Sequence, residues 1–177
     1  MLGLKYGTVR VVPYQPELAQ AFLDERARLA DALSELRCEI EHIGSTAVPG
    51  LSAKPILDIA VGLAAGAEPE TAISAICGLG YEYRGDAGGD GGQVLVRESE
   101  PLVRTHHVHV VDRNGLQWQS YLLLRELLRH DARAREVYSL EKAMLAERHP
   151  RDRQAYTAAK DEVVANLLAE ARRLTRA

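Results

Sequence analysis

Apolar positions along the chain change their period several times, and each change marks an element. Leu18, Phe22, Leu29, Leu33 and Leu36 recur at helical steps behind Pro16, which predicts an amphipathic helix of about five turns. Ahead of it, Val9-Arg10-Val11-Val12 predicts a short strand closed by Pro13. Glu39 to Ile43 alternates as a strand, 44–55 is punctuated as a loop, and Ile56 to Leu63 returns to strand. A helix is predicted over 68–79, ended by Gly78 and Gly80, followed by strands over 81–84 and 93–98. Between those strands the glycine-rich run 85–92 holds no single conformation unaided and predicts a flexible tip or a mobile substrate loop. Arg104 to Asp112 is the next strand and Asn114-Gly115 a turn. Beyond it the pattern is helical over 116–129, 132–147 and 151–173, interrupted near His130-Asp131 and at Pro150.

Strands first and helices last argue for an α+β class, a small mixed β-sheet packed with helices. The 177 residues suffice for one domain, sheet-rich over about 1–115 and helical over about 116–177. With 22 basic against 25 acidic residues, the chain lacks the global field that gathers nucleic acid or anionic membrane, so general nucleic-acid binding is not expected. Cys38 and Cys77 stand in no metal or redox spacing and read as two buried thiols in a reducing compartment. Without a leader pattern or an apolar run of about 20 residues, the chain is expected in the cytoplasm.

The chemistry concentrates where a strand, a polar loop and a second strand meet. Gly44-Ser45 follows the first strand; glycine lets a phosphate approach the backbone, and the Ser45 hydroxyl and exposed amides donate to phosphate oxygens. Lys54 adds a cation to the same loop. Asp58 then sits inside an apolar strand, where a carboxylate is costly unless paired or metal-bound. Alternation places Asp58 with Ala60 and Gly62 on one face, opposite Leu57, Ile59, Val61 and Leu63. An ion pair with Lys54 or an arginine would equally explain it.

Period two also puts His107 and His109 on one face of their strand, with Cα atoms about 6.6 Å apart, from where two imidazoles can converge on one metal or anion. His106 shares the other face with Val108 and Val110 and reads as a core or edge residue. The C-terminal helices carry Arg125, Arg129, Tyr138, Lys142, Arg153, Tyr156 and Lys160 among apolar positions. Such cations ordinarily keep their heads in water, while a subset facing the sheet would bind triphosphate charge.

The strings His42-Ile43-Gly44-Ser45-Thr46-Ala47-Val48-Pro49-Gly50-Leu51 and Ala53-Lys54-Pro55-Ile56-Leu57-Asp58-Ile59 resemble the GrpB family, also called UPF0157, of the nucleotidyltransferase-like superfamily. Further matches run from Pro13-Tyr14-Gln15-Pro16-Glu17 through His107-Val108-His109-Val110 and Trp118 to Lys160, nearly the whole chain. The resemblance implies a nucleotidyltransferase-like core with a helical C-terminal third. It implies a phosphate site at His42, Gly44, Ser45, Thr46, Lys54 and Arg125, with Asp58 and Lys54 as catalytic groups and Asp58, His107 and His109 as metal ligands. The cofactor would be Mg²⁺ or Mn²⁺, the ligand a nucleoside triphosphate, and the acceptor is not named. Active members of the superfamily usually carry a second acid where this chain has Ala60, and a third on a later strand, where it offers His107 and His109. Two readings follow: transfer of a nucleoside monophosphate, or a noncatalytic nucleotide-binding module. Fusion of the family to dephospho-CoA kinase implies an auxiliary link to coenzyme A metabolism. A third reading is a hydrolase with a transition metal on Asp58, His107 and His109.

Overall fold

The structure is a computed structural model that describes residues 2–86 and 92–174. The centre of the glycine-rich run, 87–91, lies outside the described residues, and the expected mobile tip with it. The elements are β1 (Leu4–Lys5), α1 (Glu17–Ala32), β2 (Cys38–Ile43), a 3-10 turn (Ser45–Ala47), β3 (Leu57–Leu63), α2 (Pro69–Cys77), β4 (Glu82–Asp86), β5 (Gln93–Glu100), β6 (Val103–Asp112), α3 (Leu116–His130), α4 (Ala132–Arg148) and α5 (Arg153–Leu174).

The strands form one six-stranded mixed sheet in the order β2-β3-β6-β5-β4, with β1 pairing the start of β6. β3 and β6 run parallel; β2 with β3, β4 with β5 and β5 with β6 run antiparallel. The side chains of β3 divide as period two demands. Leu57, Ile59, Val61 and Leu63 bury against Leu18, Leu29 and Leu33 of the α1 segment and Ala72 and Ile76 of α2. On the other face Ala60, with Ile43 and Val111, packs under Trp118 of α3. The ring lies so close to Gly62 that a Cβ there would stand 2.7 Å from it.

Two expectations are corrected. Val9–Val12 is not a strand: Val9 N–H bonds Pro150 O while Val12 makes an isolated bridge to Ala53, so the segment's backbone groups serve two partners and no ladder forms. The strand that does pair near the N-terminus is β1. Cys38 and Cys77 are unpaired but half-buried, because each lies where its element reaches the surface. His106 does take a core position, bonded to Thr105 Oγ1 at 2.8 Å and facing Arg97 at 3.1 Å. That arginine also pairs with the buried Glu25. Burial raises the Glu25 carboxyl, but the Tyr81 hydroxyl and the charge of Arg97 outweigh it and leave the group below its ordinary value.

Gly44 turns the chain out of β2 at φ +68°, a conformation side chains rarely adopt, and a Cβ there would stand 2.8 Å from Asp58 Oδ2. The missing side chain therefore makes room for the Asp58 carboxylate.

Two substitutions test this packing by denaturant unfolding. Trp118→Ala removes the cover of Ala60 and Gly62 and is expected to cost about 3–5 kcal/mol; a loss below about 1 kcal/mol would show that α3 is not held through this ring. Gly44→Ala combines the strain of a side chain at φ 68° and ψ −168°, about 1–3 kcal/mol, with displacement of Asp58. A Gly44→Ala protein as stable as the native one would refute the close approach.

Candidate functional site

The parallel register of β3 and β6 sets Asp58 opposite His107 and Ala60 opposite His109. All three polar residues therefore leave the sheet on one face, at the end where the Gly44–Ser45 turn crosses. Asp58 Oδ1 accepts from His107 Nδ1 at 2.9 Å, and Arg153 approaches His107 Nε2 at 3.4 Å. A carboxylate only accepts and a guanidinium only donates, so both contacts are satisfied by the tautomer with its hydrogen on Nδ1. His109 is turned toward α3, with Nδ1 3.1 Å from the Tyr121 hydroxyl. The two imidazoles stand 6.5 Å apart between ring centres and nearly perpendicular.

Helices α4 and α5 close over the loop from the other side. Lys142, 2% exposed, donates to Ser45 Oγ at 2.8 Å and to Ser52 O at 2.5 Å. With its oxygen engaged, Ser45 keeps its hydroxyl hydrogen for an incoming acceptor. Lys54 lies 3.8 Å above the centre of the Tyr156 ring. Ser45, Thr46, Ala53, Lys54, Asp58, Lys142, Tyr156 and Lys160 line a cavity of about 60 Å³. That is about twice the share of one water in liquid, room for one phosphate-sized group. A larger hollow of about 630 Å³ between α1 and β2 includes none of the candidate site residues.

The electrostatics are those of crowded cations around one acid. Burial lowers Lys142 to about 7, aided by Lys160 and Lys54. Burial likewise lowers Lys54 to about 8, with Lys160 and Arg153 adding to it. For Lys160 burial acts downward, but Tyr138, Asp161, Asp58 and Tyr156 outweigh it and raise the group. Burial pushes Asp58 upward, yet the His107 hydrogen bond and the charges of His107, His109 and Lys160 hold it at about 2. Its side chain keeps 33% exposure, so it remains reachable. His109 is lowered to about 4, chiefly by burial, and is neutral at physiological pH.

The structure thus brings Ser45, Thr46, Lys54 and Asp58 around one cavity. His107 touches it through Asp58, and Gly44 shapes it. His42 lies elsewhere: its ring stacks on Phe22 at 4.5 Å and bonds Thr46 Oγ1 at 3.0 Å, and burial lowers it to about 4. Arg125 is also engaged away from the cavity, on Glu41 at 2.6 Å, on His42 O at 2.9 Å and on Glu126. The sequence pattern does not separate Lys142, Tyr156 and Lys160 from the other polar residues of the C-terminal helices. The signal was present in Arg153, Tyr156 and Lys160, spaced to share one helical face.

These donors do not fit a pair of divalent ions. One carboxylate oxygen is held by His107, the place of a second acid is Ala60, fully buried, and His109 faces Tyr121. Among the described residues no group of three or more His, Cys, Asp or Glu is arranged to hold a metal ion. No helix among them is long and apolar enough to cross a membrane.

Comparison with known proteins gives the same frame. A UPF0157 protein of Pseudomonas aeruginosa is 40% identical over 170 residues, covering 95% of this chain and 69% of its own length. One from Streptomyces coelicolor is 40% identical over 156 residues, covering 85% and 77%. The crystal structure of GrpB from Enterococcus faecalis superposes with a TM-score of 0.76 at 33% identity, over 91% of this chain and 98% of that one. The Cid1 poly(U) polymerase, solved with Mg 3'-dATP bound, superposes with a TM-score of 0.53 at 15% identity, over 84% and 49%. At that identity it shows the fold alone, a nucleotidyltransferase-like one. The GrpB protein family matches residues 8–170, and this chain belongs to that family.

Proposed function

We propose that this GrpB protein binds a nucleoside triphosphate, seating one phosphate on Ser45, Lys54, Lys142 and Lys160. The observation that carries this reading is the charge imbalance: three lysines line a phosphate-sized cavity with Asp58 as the one carboxylate among its lining residues. Burial first and neighbouring cations second depress Lys54 and Lys142, and a bound oxyanion would favour their charged forms. The likeness to a polymerase solved with a magnesium-bound nucleotide supports the ligand class. The cavity admits one phosphate; sugar and base then lie outside it.

Transfer of the nucleoside monophosphate is the second reading, and the Asp58–His107 contact favours it. Asp58 fixes the ring with its hydrogen on Nδ1, so that Nε2, now facing Arg153 at 3.4 Å, would accept the proton of an attacking hydroxyl once that guanidinium gives way. In-line attack at the α-phosphate would release pyrophosphate, with the lysines stabilising the growing charge.

Calorimetric titration with ATP, with and without Mg²⁺, tests the binding. Lys160→Gln is expected to weaken it about tenfold or more, since a charge-assisted hydrogen bond is worth roughly 1.5–3 kcal/mol. Absence of ATP binding by the native chain would sink the reading. The pH dependence has a definite sign. Phosphate favours the charged lysines, so binding takes up protons, and affinity falls as pH rises through about 7 and 8, where Lys142 and Lys54 discharge. Lys142→Met should remove the lower part of that fall; an affinity flat from pH 6 to 9 would count against these groups. For transfer, pyrophosphate release in a screen of acceptors should drop in Asp58→Asn. Equal background release in both proteins would leave binding alone.

A further inference from the structure

On the far side of His107 stands a second group of cations that the nucleotide cavity does not use. Arg104 and Arg153 both face the ring of Tyr6, with guanidinium carbons 4.5 and 5.7 Å from its centre. Arg104 has a long ion pair with Glu98, and Arg153 has no ion-pair partner among the described residues. Arg104 is only 14% exposed and its nearest acid, Glu98, is 3.7 Å from Nε, beyond hydrogen-bond reach. That Nε is buried without a hydrogen-bond partner. Glu98 keeps Oε1 toward Arg104, while its Oε2 accepts the Leu102 N–H at 2.7 Å. Arg153 reaches only the ring nitrogen of His107, at 3.4 Å. Burial and the charge of Arg104 together lower Arg153 from its ordinary value.

The chain holds this arrangement at a cost to its backbone. Leu102 takes φ 66°, a conformation uncommon for a leucine, and from it the carbonyl accepts the Tyr6 N–H at 2.6 Å. The tyrosine is thereby fixed beside the arginines with 53% of its surface open. The Arg104 Nε is thus a buried donor without an acceptor, and it stands with a second guanidinium beside an exposed phenol.

We propose that Arg104, Arg153 and Tyr6 form a second oxyanion seat, which takes the phosphate monoester of another ligand bound beside the nucleotide. The forks match phosphate oxygens two at a time, and a pair of adjacent cations favours a dianion over a carboxylate's single charge. The seat joins the first through one relay, Arg153 to His107 to Asp58. Only the words "beside the nucleotide" rest on the proposed function; the seat itself rests on the arginines.

Inorganic phosphate is the probe, titrated calorimetrically into the full chain saturated with ATP. Native protein is expected to bind phosphate with ATP in place. Arg104→Gln should weaken that binding about tenfold or more while leaving ATP affinity within about twofold, as expected for loss of a charged donor. Lys160→Gln should do the reverse. Should Arg104→Gln fail to fold, Arg104→Lys keeps the charge without the fork and should still lose several-fold. The seat is overturned if ATP-loaded protein binds no phosphate, if the arginine variants leave phosphate affinity unchanged, or if they weaken ATP and phosphate equally. If ATP binds none of the proteins while phosphate binding still depends on Arg104, the seat stands and the nucleotide reading falls.

Discussion

The geometry of the candidate site hangs on the parallel pairing of β3 with β6. The pairing joins strands 40 or more residues apart and fixes their register, Asp58 against His107 and Ala60 against His109. A slip by one residue would turn Asp58 into the apolar layer under α1 and α2, where no partner offsets a charge. The hydrophobic face of β3 forbids that slip, since Leu57, Ile59 and Val61 are fully buried. Core packing on one side of the sheet thereby sets the chemistry on the other.

The helical C-terminal part completes what the sheet begins. The turn after β2 presents Ser45, but the cavity exists only because α4 and α5 lie across it and supply Lys142, Tyr156 and Lys160. Lys142 is the tie: its Nζ bridges the Ser45 hydroxyl and the Ser52 carbonyl, two points of one loop, from a helix nearly a hundred residues later. Val48 and Leu51 of that loop pack with Leu128, Tyr138 and Leu167, so apolar contact carries the helices to the loop and the lysine fixes how they face it.

What the sequence made legible follows from periodicity. Alternation in β3 and β6 placed Asp58, His107 and His109 on one face and His106 on the other, because a strand has two faces and one of these is plainly apolar. Direction beyond the face was not legible. His109 turns to Tyr121 and Asp58 to His107, choices made by α3 and β6, which no local pattern reports. His42 and Arg125 stand near the Gly44–Ser45 motif in sequence or space, yet their side chains serve Phe22, Thr46 and Glu41. The lysines of α4 and α5 were visible as cations; their burial depended on which helix face met the loop. Val9–Val12 misled because β-branched residues favour an extended chain without choosing a partner for it.

The resemblance to nucleotidyltransferases sharpens the meaning of Ala60. In a site built on several acids, divalent ions mediate between carboxylates and phosphates, and the protein itself is anionic there. Here the corresponding face offers one acid among Lys54, Lys142, Lys160 and Arg153, and that acid is low enough to stay ionised throughout the physiological range. Asp58 then acts as the counter-ion that keeps the cations together before an anion arrives. The cavity is left with a positive surplus, the condition on which the proposed phosphate seat rests. Under the proposed reading Ala60 and the buried lysines belong together, because a phosphate site is made attractive either by a metal held on acids or by cations of its own.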